Sequence, residues 1–274
     1  MMQIRTRIRF NEPAGGGCRR MGLDAPEDFG KARPGQFVTL RLVDGTGPLL
    51  RRPFSIHGLI WEAGAVAGIE LLFKVVGGFT RRLSEMGPGR IIDLLGPLGN
   101  DFDVPDSAQR IWMIAGGIGV APLVFLARSL ADKGADLAAC ALFIGGRTAD
   151  DLLCLDRFSE LGVPIHAATE DGTAGETGLV TQPLARAAAV TTPDILCACG
   201  PMPMLRAVAE IGAAHHIPSR VSMETLMACG LGACLGCAVE TAGDENGYRH
   251  VCRDGPVFNG RWLRKGSSSP AILH

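Results

Sequence analysis

The chain has 274 residues, a hydrophobic fraction of 47% and a formal net charge of −1. That balance describes a soluble globular protein long enough for two or three domains. It has no basic stripe for nucleic acid or an anionic membrane and no apolar run near the roughly 20 residues that span a bilayer.

Residues 1–103 read as β. The first ten residues carry Arg5, Arg7 and Arg9 with no apolar segment after them, so no signal peptide is expected and the protein is placed in the cytoplasm. Residues 37–43 alternate, and 69–76 form a β-rich run. Turn signals at Pro34-Gly35, Asp44-Gly45, Gly77-Gly78 and Pro88-Gly89 separate short strands, which predicts a small antiparallel β-barrel. Within it, Arg51-Arg52-Pro53-Phe54-Ser55 gathers guanidinium, ring and hydroxyl. On an extended segment Arg52 and Phe54 share one face, Pro53 and Ser55 the other. Arginine can clamp a pyrophosphate bidentately and Ser55 can hydrogen-bond a flavin ring, although an arginine pair is also what a solvated face contains.

Residues 104–217 change character. The apolar run 111–115 is followed by Gly116-Gly117-Ile118-Gly119 and a helical stretch over 122–132. Runs 140–144, 163–169 and 195–199 repeat buried strand and turn, which predicts βαβ units around a Rossmann-like parallel sheet. Gly117-Ile118-Gly119-Val120-Ala121-Pro122 is a G-x-G-x-x-P variant of the dinucleotide fingerprint. Its glycines, with Gly116, permit a tight turn and close pyrophosphate approach, and Pro122 suits the first helical turn. The helix N-terminus then offers free N–H groups to phosphate. Cys199-Gly200-Pro201-Met202 ends the run 195–199. Ligands bind beyond the carboxyl ends of such strands, so Cys199 is expected at the nicotinamide, the plainer alternative being a small buried cysteine. Arg147, Asp150 and Asp151 sit where an adenosine ribose would be read. Glu170-Asp171-Gly172 is either a turn or a nucleotide contact.

The region 218–274 holds Cys229, Cys234, Cys237 and Cys252 in the order C-x4-C-x2-C-x14-C. The first spacings match the plant-type arrangement around a [2Fe–2S] cluster. Glycine and alanine between the cysteines let backbone close around an inorganic core and aim N–H groups at sulfur. Zinc remains an alternative, but it favours two C-x2-C pairs and only Cys234 and Cys237 form one. Two disulfides are the other alternative, against an odd count of nine cysteines. The tail 266–270 is expected to fray. The histidines form no metal or nucleophile set: His57, His166 and His250 are scattered, and His215-His216 sits at an expected helix end.

Taken together, these blocks resemble the electron-transfer subunits of NAD-dependent dihydroorotate dehydrogenases, within the ferredoxin reductase-like flavoprotein superfamily. The resemblance runs nearly end to end. It rests on Leu49-Leu50-Arg51-Arg52-Pro53-Phe54-Ser55-Ile56, Leu95-Gly96-Pro97-Leu98-Gly99-Asn100, the 116–123 and 199–205 blocks, the cysteine loop, and Val251-Cys252-Arg253-Asp254-Gly255-Pro256-Val257-Phe258. It implies FAD on the barrel, contacted by Arg52, Pro53, Phe54, Ser55, Leu72, Phe73, Lys74 and Thr80, with Phe79 standing where relatives usually carry glycine. NAD(H) would dock on the middle domain and the [2Fe–2S] cluster on the four cysteines. Ser55 at the flavin and Cys199 at the nicotinamide are the candidate catalytic residues. The implied partner is an FMN-containing dihydroorotate dehydrogenase catalytic subunit, in a heterotetramer with two of each chain. Two rivals stand beside this: an electron-transfer subunit of another flavo-iron–sulfur complex (ferredoxin:NADP-type, sulfide dehydrogenase or hydrogenase), and a zinc-stabilised, non-enzymatic interaction module. The expected architecture is an FAD-binding barrel over 1–103, an NAD-binding domain over 104–217 and a [2Fe–2S] module over 218–274.

Overall fold

Six strands close the barrel in a computed structural model that describes residues 1–43, 48–242 and 247–263. The turn expected at Asp44-Gly45 and the tail 266–270 lie outside those residues. The strands are β1 (Met2–Pro13), β2 (Cys18–Asp24), β3 (Phe37–Leu42), β4 (Arg52–Glu62), β5 (Ala65–Lys74) and β6 (Ile91–Leu98), in the closed order β1-β2-β5-β4-β3-β6. Every pairing is antiparallel. Period-two alternation explains the core: Ile69, Leu71 and Phe73 of β5 point inward beside Ile8, Met21 and Leu40. Leu72, on the opposite face of β5, is also buried, because the second half of the molecule covers that face.

The barrel rim carries a buried ion-pair group. Asp93 of β6 is 3% exposed and accepts from Arg51 at 2.5 Å, Arg41 at 2.7 Å and the Gln3 amide. Burial alone would raise the Asp93 pKa, but Arg51 and Arg41 outweigh it and hold the carboxyl below its usual value. A depressed carboxylate contributes stability above its unfolded pKa, about 4, and loses it as pH falls through the folded value. Arg51→Met leaves this carboxylate with Arg41 and the Gln3 amide alone and is expected to cost about 2 kcal/mol, read as a lower denaturant midpoint at pH 7. The loss should shrink in acid, where Asp93 is protonated. An equal loss at both pH values would show that packing, not charge, sets the effect.

Helix α1 (Gly78–Glu85) packs Phe79 and Leu83 into the barrel core, and α2 (Ala121–Asp132) sits between the barrel and the sheet. The Gly77-Gly78 turn signal is in fact the start of α1. Thr80, at the third helical position, accepts from the Val76 and Gly77 amides at 3.0 and 3.1 Å and caps the helix. Helix α2 is buried on nearly every face from Ala121 to Ala127, with Phe125 in the barrel core and Leu123 and Leu126 in the sheet core.

The second sheet comprises β7 (Ile111–Gly116), β8 (Ala141–Gly146), β9 (Ile165–Thr169), β10 (Glu176–Thr177), β11 (Ile195–Cys199), β12 (Ser219–Ser222) and β15 (Val257–Asn259). Its order is β10-β9-β8-β7-β11-β12-β15, parallel except for the last pair. Continuous burial along β7, β8 and β11 fits strands covered on both faces. The covering helices are α2, α3 (Leu155–Glu160), α4 (Thr181–Val190) and α5 (Met202–Ala214). His215 caps the end of α5, where the sequence expects a helix to stop. The C-terminal region is joined to this sheet rather than set beside it, since β12 and β15 extend the sheet past position 217. A hairpin of β13 (Ala238–Glu240) and β14 (Tyr248–His250), followed by the short helix α6 (Val251–Asp254), completes the fold.

Candidate functional site

Strand order reverses around β7, which places a crevice beyond the carboxyl ends of β7, β8 and β11. The barrel closes its other side, leaving a cleft of about 1200 Å³. The barrel wall is built by Arg52, Pro53, Phe54 and Ser55 of β4, Leu72, Phe73 and Lys74 of β5, and Phe79 and Thr80 of α1. The two arginines part company here. Arg51 turns to Asp93, whereas Arg52 lines the cleft and donates from Nη1 to the Leu50 and Arg51 carbonyls at 3.0 and 3.2 Å. Phe54 packs edge-on to Phe73 with ring centroids 5.7 Å apart and lies 6.0 Å from Phe79. Phe79 is buried in the barrel core, so at the position where the resemblance leads one to expect glycine its ring fills packing space.

Lys74 sits on the same wall, but its ammonium reaches across to Asp151 at 3.0 Å. Asp151 also accepts from the Arg147 backbone amide at 3.1 Å. Burial opposes its ionisation, and Lys74 and the Arg147 amide together hold its pKa below the usual value. The carboxylate expected to read a ribose therefore ties barrel to sheet. Asp171 accepts from the Thr173 amide at 3.0 Å and its hydroxyl at 2.7 Å, so it shapes a turn, while Glu170 faces the cleft.

On the sheet wall, Gly116, Gly117 and Pro122 face the cleft from the turn between β7 and α2. Gly119 does not. A Cβ there would lie 2.2 Å from the Cys199 carbonyl oxygen and 2.8 Å from the Gly200 nitrogen. The absent side chain lets the turn press against β11, and close packing rather than phosphate access requires glycine at this position. Cys199 ends β11 on the cleft wall and is 1% exposed. Burial pushes its thiol up, with Glu224 adding to the effect, so it presents a neutral thiol and not a nucleophilic thiolate.

The cysteine loop forms the third side. Met227, Ala228 and Gly236 line the cleft beside Cys229 and Cys237. Cys237 and Cys252 are buried with sulfurs 3.2 Å apart, Cys229 is half-buried and Cys234 exposed. Backbone N–H groups point at the sulfurs: Leu231 to Cys229 at 3.3 Å, Cys234 to Cys229 at 3.5 Å and Gly232 to Cys252 at 3.1 Å. Gly232 makes its bond with φ at +79°, backbone that glycine adopts without strain. Burial opposes ionisation of Cys229, but the amides of Leu231 and Cys234 bring its pKa down to about 6. Burial and the neighbouring Cys237 push Cys252 up to about 12. Soft sulfur donors met by peptide N–H groups fit an iron–sulfur core, whose sulfides and thiolates accept such bonds. Among the described residues no three His, Cys, Asp or Glu side chains converge as ligands of a single metal ion. A two-iron core distributes four thiolates over two metal atoms, and the peptide N–H groups aimed at Cys229 and Cys252 supply the donors that its sulfurs accept. The other cysteines, Cys18, Cys140, Cys154 and Cys197, all have thiols pushed up by burial.

Two motif blocks meet through Asn100. Asn100 of the 95–100 block donates to the Asp254 and Val257 carbonyls at 3.1 and 2.9 Å and accepts from the Val257 amide at 3.0 Å. Residues that motif reading leaves out also reach the cleft: Gly145 and Gly146 at the end of β8, Ser222 at the end of β12 and Thr225 after it. The rule that ligands sit beyond strand carboxyl ends would have found the first pair.

A family model described as the iron–sulfur cluster binding domain of dihydroorotate dehydrogenase B matches residues 224–264. Another, described as an oxidoreductase NAD-binding domain, matches 113–210. The dihydroorotate dehydrogenase B (NAD(+)) electron transfer subunit of Desulforamulus reducens is 37% identical over 239 residues, covering 87% of this chain and 89% of that protein. Its counterpart in Bacillus caldolyticus is 38% identical over 232 residues, covering 82% of this chain and 84% of that protein. Among solved structures, an NADH-dependent reduced ferredoxin-NADP oxidoreductase studied for flavin-based electron bifurcation has a TM-score of 0.81 and 28% identity, covering 94% of this chain and 89% of that one.

Proposed function

The chain belongs to the family of electron-transfer subunits of dihydroorotate dehydrogenase B, and on that premise we propose how its residues divide the work. It is a flavin- and iron–sulfur-dependent NAD oxidoreductase subunit of pyrimidine biosynthesis. The observation that carries the division is the continuity of one cleft, from Arg52 and Ser55 on the barrel, past Gly117 and Cys199, to Ala228 and Gly236 of the cysteine loop. The residues along it would hold FAD, NAD(H) and a [2Fe–2S] cluster, and those cofactors would supply hydride and single-electron chemistry when bound.

The chain's share is to bind and orient. Residues 1–103 hold FAD, with the Arg52 guanidinium on its pyrophosphate, Pro53, Phe54, Leu72, Phe73, Phe79 and Thr80 as the apolar wall and its cap, and the Ser55 hydroxyl at the flavin ring. Lys74 contributes through its tie to Asp151. Residues 104–217 hold NAD(H), with Gly116, Gly117 and Pro122 presenting the N-terminus of α2 to phosphate. Cys199 offers a neutral thiol at the nicotinamide. Residues 218–274 hold the cluster on Cys229, Cys234, Cys237 and Cys252. No helix among the described residues is long and apolar enough to cross a membrane, and nine free cysteines fit a reducing, cytoplasmic setting.

An electron-transfer subunit implies a catalytic partner. We assign that partner an FMN site and a complex with two of each chain. The test is reconstitution. Alone, the FAD-loaded protein should reduce artificial acceptors with NADH and leave dihydroorotate untouched. Adding the FMN-bearing catalytic subunit should create NAD-linked dihydroorotate oxidation. The likeness to the ferredoxin-NADP oxidoreductase supports a second reading, a ferredoxin-type partner for the same cofactors. Failure of the dihydroorotate dehydrogenase subunit to bind would establish that one instead.

A further inference from the structure

We propose that His57 is a positioning residue that fixes the nucleotide-binding end of α2 against the flavin wall of the barrel. The inference rests on the NAD–FAD reading above. β4 lines the cleft with Arg52, Pro53, Phe54 and Ser55 and then departs from regular pairing. Its register with β5 moves from Ile56–Leu71 to Gly58–Glu70, so His57 is the extra residue of a β-bulge. A bulge re-aims the side chain it carries. Ile56 and His57 are consequently buried in succession, Ile56 in the barrel core and His57, 2% exposed, against the other half of the molecule. Its Nδ1 lies 2.8 Å from the carbonyl oxygen of Ala121, the first residue of α2.

A carbonyl can only accept, so Nδ1 carries the proton and donates. Burial pushes the His57 pKa down, against the Ala121 bond and Glu70 of β5, while Arg157 of α3 and Arg20 of β2 push the same way as burial. The ring is therefore neutral with one defined tautomer. Ala121 lies among Gly117, Ile118 and Pro122 on the nucleotide wall. One turn later Phe125 enters the barrel core. α2 is thus fastened to the barrel twice, by a polar tie at its first residue and an apolar one a turn on. Each cofactor's affinity depends on groups of one wall, whereas hydride transfer depends on the distance between walls. Reacting atoms need about 3–3.5 Å, and a misplacement of about 1 Å can cost ~100-fold.

The test uses full-length, FAD-loaded protein carrying His57→Leu, which has no donor, His57→Asn, which keeps an N–H near the Nδ1 position, and His57→Gln, which moves it one methylene outward. FAD content should stay full and NADH Kd within about twofold, while the rate of flavin reduction by NADH falls about 10- to 100-fold in the Leu and Gln variants and recovers in Asn. Without any turnover, the ¹⁵N imidazole spectrum of the wild type should show a neutral ring protonated at Nδ1. Equal reduction rates across the variants, or a ring protonated at Nε2, overturn the assignment. Should His57→Leu fail to fold, the Asn–Gln contrast decides. A wild-type flavin that NADH cannot reduce would instead overturn the NAD–FAD reading, and this inference with it.

Discussion

Replacing Cys234 with serine is expected to abolish NAD-linked dihydroorotate oxidation in the reconstituted complex while sparing most NADH-driven reduction of artificial acceptors. Of the four cysteines, Cys234 is the informative one to change, because it is exposed. Its loss removes a thiolate without opening a hole in the core, whereas Cys237 and Cys252 are buried and their replacement also strands a polar group. Changes to groups that merely orient a ligand cost about 10–100-fold in metal affinity or activity, so removing a ligand should cost at least that in the coupled reaction. The direct reaction needs only the barrel and sheet walls, and Cys234 is not among the residues that line the cleft. Iron analysis gives a second readout: two iron atoms per chain are expected in the wild type and a large deficit in the variant. Serine at Cys197, buried in the sheet core, should cost stability but leave iron in place. A coupled rate that survives full loss of iron would mean that the cysteine loop is not on the electron path.

Much of this architecture is legible in the sequence because its signals are local. Alternation over 37–43 and the apolar runs at 111–115 and 195–199 each lie within a few consecutive residues, and each becomes a strand. The cysteine spacing is likewise a property of one loop. What the sequence hides is pairing between distant segments. β15 is three residues long and has no periodicity to detect, yet it closes the sheet against β12. Lys74 reads as a flavin contact and Asp151 as a ribose contact, and only the fold brings them together. Gly119 belongs to a phosphate motif by its spacing, but the backbone of Cys199, 80 positions away in the chain, determines why it must be glycine. His57 is isolated in sequence, and a bulge that no composition predicts aims it at α2. The helix at Gly78 is missed for the opposite reason: two glycines signal a turn strongly, and the Thr80 cap that overrides them is a single hydroxyl.

Arg52→Ala is expected to weaken FAD binding about 10- to 100-fold, the equivalent of about 1.5–3 kcal/mol for a hydrogen bond to a charged group. The structure separates this residue from its neighbour in a way composition cannot. Arg51 is committed to Asp93 within the barrel, so its loss should lower stability while the protein that remains folded keeps its flavin affinity. Arg52 bonds through Nη1 to two backbone carbonyls and lies 5.9 Å from the Phe79 ring centroid, which holds the guanidinium plane in place. Its other edge is left to meet a pyrophosphate in the bidentate geometry that makes arginine effective there. Arg52→Lys keeps the charge but loses the fork, so it should recover only part of the affinity. The measurement is flavin titration of the apoprotein, with flavin retained through gel filtration as a check and NADH affinity determined separately. NADH binding should be nearly unchanged, since the wall proposed for it is the turn between β7 and α2 on the opposite side of the cleft. An Arg52→Ala protein that retains FAD but loses affinity for NADH would show that the two walls have been assigned in reverse.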